Sequence, residues 1–407
     1  MKEIAVIGFG VVGGGVVSLV DENAERITAA VGDTVHVKYI LDLREFPDSP
    51  YGDRVVHDVN VILSDPEVTL VVETMGGVHP ALEFSQAALS AGKHVVTSNK
   101  ELVAKHGASL MKLASVHGVS YLYEASVGGG IPLIRSLRTS ESTDTIEAIS
   151  GIVNGTTNYI LTRMRDGGIS FDAALAEAQQ LGYAEKDPSA DIHGFDAQRK
   201  IMILTAVATG CIVKEEDVYT ETLSKVTVED IDAAKRLGGA VRLIAAMQAE
   251  GDAVTLSVCP RIVPGKNPLA HVDDVYNAVS ATGSLTGDVM YYGRGAGRYP
   301  TAGAVISDVA AALNGAYRTE ANRNWQEAPA GFTRNFADTK SRMYIRVTDA
   351  AVREVMDAAH LLFGDVTEVP GTPAGVAEFI TPALTERAIA EAVVSLPGTV
   401  ESKLRML

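Results

Sequence analysis

At 407 residues, with 46% hydrophobic and 21% charged residues, the chain can bury the cores of two or three domains. A formal net charge of −16 argues against nucleic acid or an anionic membrane as a main partner. Two cysteines, Cys211 and Cys259, exclude a disulfide scaffold or cysteine zinc cluster, and no signal peptide or apolar run of ~18 residues is visible, so a cytoplasmic protein without a membrane partner is expected.

The chain opens on an apolar run, Ile4-Ala-Val-Ile7, of the kind found in a buried parallel strand. Gly8-Phe-Gly10-Val-Val-Gly13 follows at once, and a helical pattern begins with Val16, Val17, Leu19 and Val20. The spacing assigns Gly8 to a tight turn, Gly10 to close approach by a pyrophosphate and Gly13 to helix–strand packing. The helix N-terminus then offers its unpaired N–H groups to the phosphates. The plainer reading is a glycine-rich turn that binds nothing. A second strand over 35–41 ends at Asp42, which can hold a ribose 2′-hydroxyl and so favours NAD; Arg44 is close enough to take a 2′-phosphate, which keeps NADP open. Strands at 68–73, 94–97 and 120–124, with helices between them, continue the alternation of a doubly wound α/β sheet. Its strand-end loops, 74–77, 98–100 and 125–130, should face the nicotinamide. Lys100 is accordingly read as a site residue and not as a first-turn surface lysine.

After Pro132 the alternation ends. A strand at 147–153 leads into Asn154-Gly-Thr-Thr-Asn158 and a helix closed near Gly167-Gly168; such a polar turn binds a substrate or, more commonly, only caps the helix. The chemistry is concentrated in 182–200, where Glu185, Asp187, Asp191, Asp196 and Lys200 precede an apolar run. Pro188 and Ser189 read as an entry turn, Asp191 as an N-cap and Gly210 as a stop, which predicts one helix of about 18 residues. Asp196 and Lys200 share a face of it, while Ile192, Phe195, Ile203, Leu204 and Val207 bury much of the rest. A solvated i,i+4 pair is the bland alternative. Three carboxylates upstream of a half-buried ammonium instead suit a pocket for a small cationic substrate beside a proton donor.

A helical hairpin over 215–229, a strand over 254–263 and a largely antiparallel sheet are expected next. The glycine-rich loop 293–303 should precede a helix over 304–313 that returns to the cofactor domain and makes it discontinuous. A linker covers 317–340. Beyond it, strands near 342–347, 376–380 and Val400 and helices over 350–363 and 385–396 suit a small tethered regulatory module.

With these motifs laid out, the chain resembles the homoserine dehydrogenases over nearly its whole length. The resemblance is carried, in order, by Gly8-Phe-Gly10-Val-Val-Gly13, Thr97-Ser-Asn-Lys100, Glu124-Ala-Ser-Val-Gly-Gly-Gly-Ile-Pro132, Asn154-Gly-Thr-Thr-Asn158, 182–200 and 293–303. It implies a doubly wound Rossmann dinucleotide-binding domain at 1–132 and 300–325 and an α+β substrate and dimerisation domain at 133–299. A linker at 326–340 and a small C-terminal α/β ACT-like domain at 341–407 complete the implied organisation. The implied reaction is the reversible NAD(P)-dependent oxidation of L-homoserine to L-aspartate 4-semialdehyde in threonine and methionine biosynthesis, by a homodimer or homotetramer. By position, Lys200 looks like the catalytic acid/base and Lys100 like a second active-site lysine that also meets substrate and cofactor. Glu185 and Asp196 look like substrate contacts and Asp191 like a supporting carboxylate. Gly8, Gly10, Val11, Val12, Gly13, Asp42, Arg44, Thr74, Gly182 and Gly303 fall on the implied cofactor side. A sodium ion is implied at the Glu124 side chain and the main-chain carbonyls of Val127, Gly129 and Ile131, a ligand set suited to a hard cation. Residues 347–353 lack the usual glycine-containing turn of an ACT domain, which leaves a threonine response open; no kinase segment precedes the motifs, so a monofunctional enzyme is expected.

Residue types fit this chemistry. Hydride addition to an aldehyde places negative charge on oxygen, so a proton donor must lie within hydrogen-bond reach. Lys200 can donate, and must be neutral to serve the oxidation; burial and Lys100 disfavour its charged form while Asp196 favours it. An acylating semialdehyde dehydrogenase would need a cysteine nucleophile in a strand-to-helix loop, which neither Cys211 nor Cys259 provides. A non-catalytic NAD-responsive amino-acid sensor would have no use for a buried lysine among carboxylates.

Overall fold

The computed structural model describes residues 1–315 and 325–407; positions 317–324 of the expected linker lie outside the described residues. The chain forms two compact units. One comprises Met1–Ile146, Met202–Lys214 and Tyr291–Ala328, the other Glu147–Ile201, Glu215–Met290 and Pro329–Leu407.

The first unit is built on six parallel strands, β1 (Lys2–Ile7), β2 (Val35–Leu41), β3 (Val55–Val56), β4 (Val68–Glu73), β5 (His94–Thr97) and β6 (Tyr121–Leu122). Their order is β3-β2-β1-β4-β5-β6. Ile4 to Ile7 are buried on both faces of the sheet, which is why β1 reads as a continuous apolar run and not as an alternation. Helix α1 (Val11–Glu22) follows β1 and α2 (Lys100–Val116) follows β5. The strand order reverses between β1 and β4, so the loops after these strands flank the crevice in which such sheets bind dinucleotides. Ala302, Val305 and Val309, from the helix Arg298–Asn314, pack in one core with Ile4, Val6, Val17 and Val72. That helix starts earlier than the expected Ala304. Gly297, with φ 119°, caps it, so Gly303 lies inside the helix and not in the loop ahead of it.

The second unit carries most of a mixed sheet of ten strands. They are β7 (Ile146–Ile152), β8 (Val218–Thr220), β9 (Gly239–Glu250), β10 (Ala253–Pro264), β11 (Tyr276–Gly283), β12 (Gly287–Arg294), β13 (Met343–Thr348), β14 (Thr367–Glu368), β15 (Ala377–Ile380) and β16 (Thr399–Met406). The order is β12-β11-β7-β9-β10-β16-β13-β15-β14, with β8 beside β10. Of the helical hairpin expected around 215–229, only a helix over Val228–Arg236 forms; the residues before it make β8 and short 3-10 turns. Val218 and Thr220 are β-branched and pair with Leu256 and Val258, so long-range pairing overrides the local pattern. Helix α3 (Gly155–Gly167) follows β7, and α4 (Phe195–Thr209) carries the lysine of interest.

The last strands join this sheet and do not form one of their own. β16 pairs with β10 through Arg261↔Arg405 and Ile262↔Met406. The buried Arg405 side chain binds both carboxylate oxygens of Glu386 at 2.8 Å and Glu221 at 2.8 Å. The turn after β13 manages without a glycine, because Asp349 itself takes φ 59°. On the neighbouring chain segment Gly398 packs close to this turn: a Cβ there would stand 2.2 Å from the Thr348 carbonyl oxygen. Among the described residues no helix is long and apolar enough to cross a membrane.

Candidate active site

The acidic stretch folds differently from the single helix that its pattern predicts. A short helix, Ser189–Ile192, stops at His193 and Gly194, and α4 begins at Phe195. Gly194 forces the break: its φ is +80°, and a Cβ there would meet Thr220 Cγ2 at 2.9 Å and Val258 Cγ1 at 3.1 Å. Only glycine meets both demands without strain. Asp191 is therefore not a helix cap; it lies in the short helix, and Asp196 in the first turn of α4. The break lets both carboxylates reach one side chain. Asn154 Nδ2 donates to Asp191 Oδ1 at 2.7 Å and to Asp196 Oδ2 at 2.8 Å.

Asn154 also does the job its sequence suggests. Its Oδ1 accepts from Thr157 N at 2.8 Å and caps α3. The cap uses only the carbonyl half of the amide, which leaves the NH2 half for the two aspartates; the sequence marked the cap and missed the clamp.

Lys200 Nζ donates to Asp196 Oδ2 at 2.7 Å and to the Val153 carbonyl at 2.6 Å. Lys200 is 9% exposed and Asp196 4%, so the i,i+4 pair is buried and not a solvated surface pair. Ile201, Ile203, Leu204 and Val207 bury the rest of α4, but Phe195, expected in the core, is 46% exposed. Glu185 is exposed in the preceding loop. Asp187 accepts from Ser189 N at 3.1 Å and Ser189 Oγ at 2.5 Å, so it builds the turn. Gly182, implied on the cofactor side, closes the helix Phe171–Gln180 of the second unit with φ +75°.

In the first unit Gly8 makes the tight turn and Gly13 the close helix–strand contact that the spacing predicts. Gly8 has φ +93° and donates its N–H to Leu41 O at 2.8 Å. A Cβ on Gly10 would meet nothing within 4 Å, which leaves the N-terminus of α1 open to an approaching group. A Cβ on Gly13 would stand 1.9 Å from the Gly8 carbonyl oxygen and 2.8 Å from Thr74 Oγ1. Thr74 Oγ1 in turn donates to Gly8 O at 2.8 Å. Val11 is 69% exposed beside this opening and Val12 is half-buried. Asp42 accepts from Phe9 N at 2.9 Å and from Arg44 Nε and Nη2 at 3.0 and 2.9 Å. Arg44 holds the Asp42 carboxyl well below the usual carboxylate range. Lys100 is the first residue of α2, directly after the capping Asn99.

The glycine turn after Glu124 is closed by the second glycine-rich loop. A Cβ on Gly129 would stand 2.5 Å from Gly295 O, and Gly130 N donates to Arg294 O at 3.1 Å. The glycines of the later loop thus serve packing against this turn. Glu124, itself buried, accepts from Ile134 N and Arg135 N, both at 2.9 Å.

Residues 132–310 match the family model described as homoserine dehydrogenase, and residues 8–124 match the NAD-binding domain of homoserine dehydrogenase. A homoserine dehydrogenase of Synechocystis sp. is 43% identical over 314 residues, 75% of this chain and 72% of the relative. The chain belongs to the homoserine dehydrogenase family. The crystal structure of a homoserine dehydrogenase from Thiobacillus denitrificans matches it with a TM-score of 0.91 at 33% identity, over 100% of this chain and 98% of the other. A hyperthermophilic archaeal homoserine dehydrogenase in complex with NADPH matches with a TM-score of 0.66 at 29% identity, over 76% and 97%. As a homoserine dehydrogenase the protein is an NAD(P)-dependent oxidoreductase, which answers against the acylating dehydrogenase and the non-catalytic sensor. The cysteines agree: Cys259 is buried within β10, and burial pushes the Cys211 thiol up.

Proposed function

We propose that Lys200 moves the proton in the homoserine dehydrogenase reaction. The observation that carries this reading is the buried Nζ held between Asp196 and the Val153 carbonyl, beside the Asn154 clamp. What a bound dinucleotide supplies or takes is the hydride, and the open face of Gly10 above the tight Gly13 contact suits its pyrophosphate. In the reducing direction Lys200 gives a proton to the aldehyde oxygen as negative charge forms there. In the oxidising direction the neutral amine takes the hydroxyl proton as the C–H bond of the carbinol carbon breaks. Asp196 and Val153 O aim the nitrogen. Asp191, Asp196 and Glu185 supply carboxylates for the substrate ammonium, Asn154 fixes the spacing of the first two, and Lys100 is the second active-site lysine. Substitution of Lys200, argued below, tests this assignment.

Cofactor preference turns on Arg44. With NADP, the 2′-phosphate competes with Asp42 for the guanidinium; with NAD, Asp42 accepts from the ribose hydroxyl. The NADPH complex of the archaeal relative supports use of NADP here. Arg44→Ala should therefore raise KM for NADP about tenfold, the scale of a lost charge-assisted hydrogen bond, and leave KM for NAD within about twofold. Initial rates with both cofactors decide it, and equal changes would remove Arg44 from this role.

The Glu124 turn fits a sodium ion. Each carboxylate oxygen already accepts one main-chain N–H and keeps a lone pair, and Gly128 and Gly129 adopt φ +75° and +51°. Among the described residues no cluster of three or more His, Cys, Asp or Glu suits a transition metal, whereas carbonyls and one carboxylate suit a hard cation. Burial pushes Glu124 up, and a cation at Glu124, Val127, Gly129 and Ile131 would offset that cost. Replacing sodium by tetramethylammonium should lower the melting temperature of the wild type but not of Glu124→Gln. At a hundredfold excess over Kd the ion contributes about 2.7 kcal/mol. A melting temperature indifferent to sodium would refute the site.

The same reading makes 341–407 an ACT-like regulatory region, 326–340 its linker and the enzyme a cytoplasmic homodimer or homotetramer. Initial rates with and without threonine, and sedimentation, test the region and the assembly.

A further inference from the structure

Glu73 ends β4, at the point where the strand order reverses, and nothing in the mechanism above uses it. It is 0% exposed, and burial pushes its carboxyl up to about 7. The groups bonded to it are neutral. Met75 N donates to Oε1 at 2.6 Å, Thr97 Oγ1 donates to Oε2 at 2.5 Å, and the Asn99 side chain also reaches the carboxylate. Beside it, on β6, the buried Tyr121 hydroxyl has no hydrogen-bond partner among the described residues.

These bonds close a ring. Asn99 N donates to Thr97 Oγ1 at 2.9 Å, and Asn99 Nδ2 donates to Gly77 O at 2.6 Å. Asn99 Oδ1 accepts from Leu102 N at 3.0 Å and so caps the helix whose first residue is Lys100. The loop 74–77 and the turn 97–100 thus share one acceptor. A glutamine in its place could still accept from Met75 N, but its N–H would face Thr97 Oγ1 and force that hydroxyl to turn its proton away, so the carboxylate that accepts from both is what holds the ring as it stands.

We propose that Glu73 is a positioning residue for hydride transfer, locking the loop after β4 to the turn after β5 and thereby fixing Lys100. This rests on the reading of Lys100 as an active-site lysine. A catalytic group displaced by about 1 Å can lose on the order of a hundredfold in rate without loss of fold.

The test is a cycle of E73Q, K100A and the double variant, with T97V as an independent cut of the same ring, all in the full-length enzyme. E73Q and T97V should each lower kcat for homoserine oxidation at least tenfold. KM for homoserine should rise by less than kcat falls, because its ammonium is assigned to Asp191, Asp196 and Glu185 and only Lys100 is displaced. In the K100A background E73Q should add little, since both act through one group. A wild-type kcat in E73Q, or in T97V should E73Q fail to fold, overturns the proposal. An impaired K100A whose defect E73Q multiplies in full also overturns it and leaves the reading of Lys100 standing. A normal kcat in K100A sinks that reading and the route through it.

Discussion

Lys200→Met should lower kcat for homoserine oxidation by about 10²–10⁴-fold, the usual contribution of a positioned acid or base, while NADPH still binds. The methionine keeps the stem of the side chain among its apolar neighbours and removes only the nitrogen that donates to Asp196 and Val153 O. Its cost is a buried Asp196 deprived of its cation, for which a loss of about 3–5 kcal/mol of stability is typical. The double variant Lys200→Met/Asp196→Asn relieves that charge, so it should recover melting temperature but not turnover. A merely structural ion pair would behave the opposite way, with activity returning alongside stability. The pH profile supplies a second arm. Because the amine must be neutral to take the hydroxyl proton, wild-type oxidation should rise from neutral to alkaline pH and the residual rate of the variant should not. A wild-type profile flat over that range, in single-turnover measurements that remove product release, would deny Lys200 the proton.

Much of the first unit was legible because its signals are local. Strands β4 and β5 are buried on both faces and bounded by turn residues, so their limits follow from the apolar runs, and the tight turn at Gly8 and the close packing at Gly13 follow from spacing alone. What the sequence hid depends on partners far along the chain. The break at Gly194 is set by Thr220 and Val258; without them, 191–209 carries an uninterrupted helical pattern. Val218 to Thr220 form a strand because β10 offers an edge. Asn154 reads as a cap because capping is local, while its hold on Asp191 and Asp196 spans 37 and 42 residues. Glu73 closes the expected strand at 68–73 without a local signal of its role, and only the arrival of Thr97 and Asn99 makes it a buried acceptor. In the acidic stretch the residue types pointed to chemistry, but which carboxylate faces Lys200 and which only builds a turn is decided by backbone geometry.

Gly13→Ala should be the most damaging single-methyl change in the dinucleotide-binding unit. The added Cβ would stand 1.9 Å from Gly8 O, 3.0 Å from Gly8 C and 2.8 Å from Thr74 Oγ1. Two of these atoms, including the nearest, are backbone, and the Gly8 turn is itself pinned by Gly8 N–H to Leu41 O at 2.8 Å, so turning the Thr74 side chain away cannot relieve the contact. Relief requires α1 to move off the end of β1, which disturbs both the packing of Val16 and Val17 and the N–H groups at its start. A loss of about 1–3 kcal/mol or more is expected from such overpacking, with NADPH affinity falling at least tenfold. Gly10→Ala provides the contrast. Its Cβ meets nothing within 4 Å and its φ of −87° suits an L-residue, so the protein should melt as the wild type does while the dinucleotide is crowded out. Thermal melts and fluorescence titrations with NADPH on the two variants separate the roles. Should Gly13→Ala melt normally and bind NADPH normally, the close approach of α1 to the Gly8 turn would be wrong; should Gly10→Ala bind normally, the pyrophosphate does not pass over that glycine.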